Sequence, residues 1–471
     1  MRRTRWKAPR WRRTCAKCRA FLLDGESVTF CCNKGKWFPP PLPALPPSIE
    51  NIIENSPTRN SLSSRSRCLN NLFCFTALGA TQHFQHFETG LASVAITGRT
   101  YHRLFDITDN THSLHWYLYD SLDRRQHAET LNVPNDWTSA IDNALQSVNP
   151  YVRSLRRFSS LPSGTTNALE LSDVGSNGDF AAILHAGNSS NIQPRSVVIW
   201  QNRAADPTFI SIYSRHYEPL QYPVLFPHGT PGWGLSETAT GQQINTLPLT
   251  QRQWYRARVL TEPRFLIFGR LVCEYLCDMY SRVEEERLNF IRGSKSGLAA
   301  EEPDEDDNPD SENIDLPASF LGSRKWASEQ TADSLALART YGPPSFFVTM
   351  TCNPDWPEIK SKLQPGQNAF EIPTIVTRAF KMRLQRLVHL LKTKMGTIVY
   401  ITTSNEFQKR GYPHSHIIIK VRCNSSCVVH MLTRNSADRF IRNFLYIKLT
   451  ASSKPPCPST IRLWKRKFES L

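Results

Sequence analysis

The chain has 471 residues, with 57 Lys plus Arg against 41 Asp plus Glu, a net charge of +16 and a sequence pI of about 9.4. That length allows two or three domains with a substantial buried core, and the basic excess favours a polyanionic partner such as nucleic acid without specifying any chemistry. No run of 18 or more apolar residues occurs, so no membrane span is expected; the basic N-terminus lacks the apolar stretch of a signal peptide, so the 12 cysteines are expected to be reduced, with metal binding favoured over disulfides.

Residues 1–19 hold nine basic and no acidic side chains, with Trp6 and Trp11 among them. Such a segment suits phosphate contact with base stacking, a nuclear-import signal, or a solvated arm. Cys15-x2-Cys18 and the adjacent Cys31-Cys32 place four thiols where they can close a tetrahedral zinc site, the alternative being loose thiols. Residues 1–38 are therefore read as a basic arm with a small zinc-knuckle-like segment. Residues 39–67 read as a Pro/Ser-rich linker: Pro39 to Pro47 form a stiff extended spacer, and Asn51 to Arg67 are polar. Residues 68–235 read as an α/β region with strand-like segments at Ala92–Tyr101, His115–Tyr119 and Ser196–Gln201. It closes on Tyr213–Trp233, whose Pro and Gly among aromatics predict a packed loop, or alternatively a stacking platform for bases.

Residues 236–300 read as helical, with a long helix from Gln251 to Arg292 broken near Glu262-Pro263. Leu271, Tyr275, Met279 and Val283 form its apolar face, and Cys273 and Cys277 read as packing residues. Residues 301–315 hold nine acidic and no basic side chains, which predicts a mobile loop.

Residues 316–425 read as a further domain. A helix is expected over Ala327–Thr340, and a buried strand over Ser345–Thr351, ended by Cys352-Asn353-Pro354. A second helix covers 374–394, with Val376, Phe380, Leu384, Leu387, Val388 and Leu391 as its apolar stripe. Arg378, Lys381, Arg383, Arg386, Lys392 and Lys394 form a basic rim that can face phosphates or water. Thr397 to Val421 then reads as a β-hairpin turning at Lys409-Arg410-Gly411-Tyr412-Pro413. Symmetric pairing sets Gln408 opposite His414 and Glu406 opposite His416, all four on one face, with Ser415, Ile417 and Ile419 on the other. Two imidazoles, a carboxylate and an amide oxygen make a candidate divalent-metal site; a merely polar strand face is the alternative, and a one-residue bulge would turn one strand over.

The segment EFQKRGYPHSH (Glu406 to His416) resembles that of the Helitron transposon replication initiators, members of the His-hydrophobic-His (HUH) endonucleases. FTALGA from Phe75, WYLYD from Trp116, SVVIW from Ser196, YSRHYEPLQYPVLFPHGTPGW from Tyr213 and FVTMTCNP from Phe347 resemble further landmarks of that family. The resemblance implies an α+β fold overall: a ferredoxin-like HUH endonuclease domain with an antiparallel central sheet, carried by the order strand, helix, strand, strand. It implies metal-assisted transesterification of single-stranded DNA at transposon ends in rolling-circle transposition, with Mg²⁺ or Mn²⁺ held by His414, His416 and either Gln408 or Glu406. Lys409 and Arg410 would contact the phosphate, a tyrosine would attack it, and the protein would be nuclear. The family carries two tyrosines separated by three residues on a later helix, and after His416 this sequence has only Tyr446. The likeness fades after about Cys423, residues 426–471 read as a divergent tail, and no G-x-x-x-x-G-K-[ST] motif occurs, so no ATP hydrolysis is expected. The sequence thus reads as a Helitron protein cut short before its tyrosines and helicase. Two other readings stand beside an endonuclease: a non-catalytic, zinc-containing DNA-binding protein derived from a transposon, and a phosphoesterase using His414 or His416 as acid, base or nucleophile.

Overall fold

The computed structural model describes residues 8–80, 85–86, 94–95, 100–104, 121–153, 167–173, 180–186, 199–200, 209–210, 212–234, 236–237, 243–244, 249–296, 316–395, 397–408 and 411–422. Among them every strand pairing is antiparallel, so the architecture is α+β throughout, including the region expected to be α/β.

The N-terminal segment folds as a two-stranded ribbon, β1 (Trp11–Thr14) and β2 (Phe21–Leu23), whose connection carries Cys15 and Cys18. Residues 39–67 correct the expected linker. The Pro-rich stretch is strapped down: Arg258 donates to the Pro40 carbonyl, Arg264 to that of Pro43, and His228 pairs with that of Ala44. The polar stretch after it forms two helices, α1 (Pro47–Asn55) and α2 (Leu62–Asn71). Their few apolar residues sit at helical spacing, so Ile49, Ile52, Leu62 and Leu69 all reach the core despite polar surroundings.

That first core joins α1 and α2 to α3 (Asn135–Val148), the Tyr213–Trp233 loop, α4 (Gln251–Thr261) and α5 (Gly269–Ser296). The expected boundary near residue 235 is therefore not a break in packing. The Glu262-Pro263 interruption is present, since a proline there cannot continue the α4 hydrogen-bond ladder. Tyr217, Tyr222 and Phe226 are buried, which seats the loop aromatics in the core and not on a surface platform. His115–Tyr119 and the acidic stretch 301–315 lie outside the described residues.

The second core belongs to the C-terminal domain. Helix α6 (Arg324–Tyr341) starts at Ser323, whose hydroxyl accepts from the Trp326 amide, and ends at Gly342, where φ is +85°. Strand β3 (Phe346–Thr351) leads through α7 (Pro373–Lys394) to β4 (Ile398–Phe407) and β5 (Pro413–Val421). The sheet order is β3-β5-β4. Because β5 is antiparallel to both neighbours, β3 and β4 run parallel with β5 inserted between them, a split β-α-β arrangement.

Strand alternation decides which face carries what. Phe346, Val348 and Met350 of β3 and Ile417, Ile419 and Val421 of β5 pack under Ile375, Val376, Ala379 and Phe380 of α7. Each such side chain contributes about 1.5–3 kcal/mol by leaving water. The opposite face, which carries His414 and His416 with Thr349 and Thr351 beside them, is left without that helix. The two domains meet where Glu371, buried, accepts from Ser63 at 2.9 Å, and where Gln367 donates both to Ser63 (2.9 Å) and to the Leu266 carbonyl (2.8 Å). Gly269 is required at this seam, because a Cβ there would lie 2.1 Å from the Ser63 hydroxyl.

Candidate functional site

The hairpin β4–β5 turns one residue earlier than the symmetric reading, its last ladder pair being Phe407 with Pro413. Glu406 pairs with His414 and Ser404 with His416, while Gln408 lies past the strand end, its N–H donating to the Tyr412 carbonyl at 3.0 Å. Gly411, at φ +75°, closes the turn by donating to the Gln408 carbonyl. The partner of each histidine moves by two residues along β4, an even slip, so parity is kept and no side chain changes face. Glu406 and Gln408 therefore still reach the histidines diagonally. Glu406 Oε1 lies 3.2 Å from His416 Nε2, and the Gln408 amide lies 3.2 Å from His414 Nδ1. The imidazoles sit 4.7 Å apart, edge to face.

The neighbouring strand completes this face. Thr351 is the cross-strand partner of His414, and its hydroxyl lies 2.9 Å from His414 Nδ1. Phe347 stacks on His416 at 5.3 Å, and His416 Nδ1 is buried without a hydrogen-bond partner. Burial first, and then the neighbouring His416, hold His414 below the usual imidazole range, against a smaller opposing pull from Glu406. That shift favours the neutral ring, the state in which an imidazole ligates a cation. The donor atoms of Glu406, His414 and His416 lie within 4.8 Å of one another, close to the spacing that bonds of about 2.0–2.2 Å to a shared cation demand. Two imidazoles and a carboxylate fit a divalent ion with open positions. Lys409, Arg410 and Tyr446 lie outside the described residues.

The second cluster is Cys15, Cys18, Cys31 and Cys32, whose sulfurs likewise lie within 4.8 Å of one another. Cys15 Sγ is 3.7 Å from Cys32 Sγ and Cys31 Sγ is 4.0 Å from it, as free thiols. A Zn–S tetrahedron with bonds of about 2.3 Å has edges of about 3.8 Å, so the cage needs little adjustment to fit that ion. Two turns shape it. One runs from Cys15 to Ala20, with Arg19 at φ +58°; the other follows Cys32, whose sulfur accepts from the Gly35 amide. Burial raises the Cys18 and Cys31 thiols. Burial also opposes the Cys15 thiolate, but the Cys18 and Lys17 amides and the Cys31 and Cys18 thiols outweigh it and bring Cys15 down to about 6.

This cluster is not a free arm. Glu26 is buried; it accepts from Leu23 N at 2.8 Å and from Arg378 Nε and Nη2 of α7 at 2.8 and 2.7 Å. Trp11 donates its indole N–H to the Glu358 carbonyl, and Arg386 donates to that of Asp24. Arg383 forks onto Glu358 at 2.5 and 3.0 Å. Half of the basic rim read on α7 is thus spent inside the protein: Arg378, Arg383 and Arg386 hold other segments, while Lys381, Lys392 and Lys394 remain exposed. Thr351 and Glu26 escaped the sequence reading, because each gains its meaning only from a distant partner.

No helix among the described residues is long and apolar enough to cross a membrane. Neither the curated proteins nor the solved structures give a match to the chain. Residues 251–419, the stretch from α4 through the histidine strand, match the family described as the Helitron helicase-like domain at N-terminus, and the chain therefore carries a Helitron helicase-like N-terminal region, the mark of a transposon-derived protein.

Proposed function

We propose that the C-terminal domain is a ferredoxin-like HUH module that cleaves and rejoins single-stranded DNA for Helitron-type rolling-circle transposition. The observation that carries this is the convergence of His414, His416 and Glu406 on the open face of the central strand, within the Helitron-matching stretch. A divalent ion such as Mg²⁺ or Mn²⁺, when bound there, would polarise the scissile phosphate. His414 and His416 would hold that ion through ring nitrogens, Glu406 would supply charge, and Gln408 would steady the His414 ring. Lys409 and Arg410, at the turn, contact the phosphate backbone. Tyr446 is the only tyrosine after the histidine pair, and in this reading its hydroxyl attacks the phosphorus in line: the 5′-phosphotyrosyl bond forms as the P–O3′ bond breaks, the phenol proton ends on the departing 3′-oxygen as a free 3′-hydroxyl, and that hydroxyl reverses the step on rejoining. The protein acts in the nucleus, where its basic N-terminus serves import.

The test is incubation of the purified chain with end-labelled single-stranded DNA and Mn²⁺, resolved on a denaturing gel. A protein-linked DNA band that disappears in Tyr446→Phe and in His414→Ala supports the proposal. Metal-dependent cleavage of small phosphoesters with no linked band favours the phosphoesterase reading instead. The cysteine cage, docked on α7 in a basic chain, favours a second reading: a non-catalytic, zinc-containing DNA-binding protein. DNA binding that depends on Zn²⁺, with neither cleavage nor a linked band at any metal concentration, would establish it.

A further inference from the structure

We infer that Thr351 is a positioning residue that fixes the tautomer of His414 and so selects which ring nitrogen faces the metal. This rests on the metal-site reading above and goes beyond it, because it concerns the hydroxyl that touches His414 Nδ1 and not the donor atoms of Glu406, His414 and His416 themselves.

The argument begins with the sheet. Thr351 is the last residue of β3 and lies directly across from His414, and Thr349 lies across from His416. Cross-strand partners on one face are held at fixed separation by the ladder, so the Thr351 hydroxyl cannot drift from the ring without breaking the sheet edge. It lies 2.9 Å from His414 Nδ1. A β-branched side chain has restricted χ1 freedom, which pins the hydroxyl further. An imidazole whose Nδ1–H is donated to an oxygen is fixed with its lone pair on Nε2, the arrangement in which a histidine both ligates through Nε2 and keeps its ring from turning.

Nδ1 has a second neighbour, the Gln408 amide at 3.2 Å. With the Gln408 NH2 group directed at Nδ1, that nitrogen would have to accept, and the proton would move to Nε2. A half-turn of the amide presents Oε1 instead, so that Thr351 and Gln408 both accept from one N–H. Both groups flank Nδ1 and leave Nε2 as the ring nitrogen open to an ion; a ligating Nε2 carries no proton, so the proton sits on Nδ1, and the Thr351 hydroxyl, which can donate or accept, accepts it. His416 shows the contrast: its Nε2 faces Glu406, and its Nδ1 is buried without a partner.

The test uses the full chain and two readouts. Thr351→Val keeps the shape and removes the acceptor, and Thr351→Ser restores it. With Mn²⁺ titrated by electron paramagnetic resonance, Thr351→Val is expected to bind about 10–100-fold more weakly than the unsubstituted chain, with Thr351→Ser close to it. In long-range ¹H–¹⁵N spectra of the metal-free chain labelled at histidine, the His414 signal, assigned by its loss in His414→Ala, is expected as the Nδ1–H tautomer. In Thr351→Val it is expected to shift toward Nε2–H. Unchanged Mn²⁺ affinity together with an unchanged tautomer in Thr351→Val overturns the inference. Mn²⁺ affinity indifferent to His414→Ala overturns the metal-site reading instead, and the tautomer comparison, which needs no metal, still decides the hydrogen bond.

Discussion

Glu26→Ala isolates the clamp between the cysteine cage and helix α7. The Glu26 carboxylate takes two hydrogen bonds from Arg378 and one from the Leu23 amide, and the side chains are only 2% and 10% exposed. Removing one partner of a buried pair leaves the other charge without its counter-ion, at a cost of about 3–5 kcal/mol. Arg378 would retain the Phe21 carbonyl and its stacking over Trp11, so the lower end of that range, about 3 kcal/mol, is expected. Urea unfolding of the zinc-loaded chain, with Arg378→Ala and the double variant to close the cycle, measures it. The coupling between the two positions should exceed about 1.5 kcal/mol, because each single loss strands the same partner. A cost below about 1 kcal/mol for Glu26→Ala, the value of an exposed ion pair, would show that water reaches the clamp and that the docking is not built on it.

Thiol modification of the unsubstituted chain is expected to release one zinc equivalent to a chromogenic chelator, and Cys18→Ser to abolish that release, since three thiols no longer close the cage. Glu274 is pushed up to about 7 chiefly by burial, with Asp278 adding to the shift and Arg67, 2.8 Å away, opposing it. Its folded pKa lies above its unfolded one, so the stability it carries is full below about pH 4.5 and is lost as pH rises toward 7. Glu274→Gln should therefore remove a pH-dependent loss on the order of 3 kcal/mol between pH 4.5 and 8, read from denaturation midpoints across that range. In the first core, Arg282 is fully buried and donates to the carbonyls of Ile212, Ser214 and Trp233, with Glu218 3.7 Å away. Arg282→Met should cost about 3–5 kcal/mol and lower the cooperativity of thermal unfolding; a melt unchanged within about 2 °C would contradict this.

What was legible in the sequence follows from what is local. The shared face of His414, His416, Glu406 and Gln408 could be read because strand parity survives a slip of two residues. The register itself could not, because the five-residue connection sits one position earlier, with Gly411 at φ +75° inside it. The cysteine cage was legible from spacing, whereas its seat on α7 was not, since Arg378 reads as surface charge until Glu26 is placed beside it. Helices α1 and α2 were hidden by composition: Ser and Asn dominate, and a handful of well-spaced Ile and Leu do the packing.

The docking of the cysteine cage also sets a timetable. Glu26 and Arg378 are separated by 352 positions. At about 5–20 residues per second of synthesis, the ribbon leaves the ribosome roughly 20–70 s before the helix it will rest on exists. Until Arg256 and Leu260 of α4 emerge the ribbon lacks the side chains of that helix that pack on it, and four residues of β1 with three of β2 cannot hold a fold by themselves. Metal captured at the thiols would close the ribbon at once, since binding energy at such a site is folding energy. Zinc supply during translation, more than zinc retention afterwards, would then govern how much of the chain reaches its finished form.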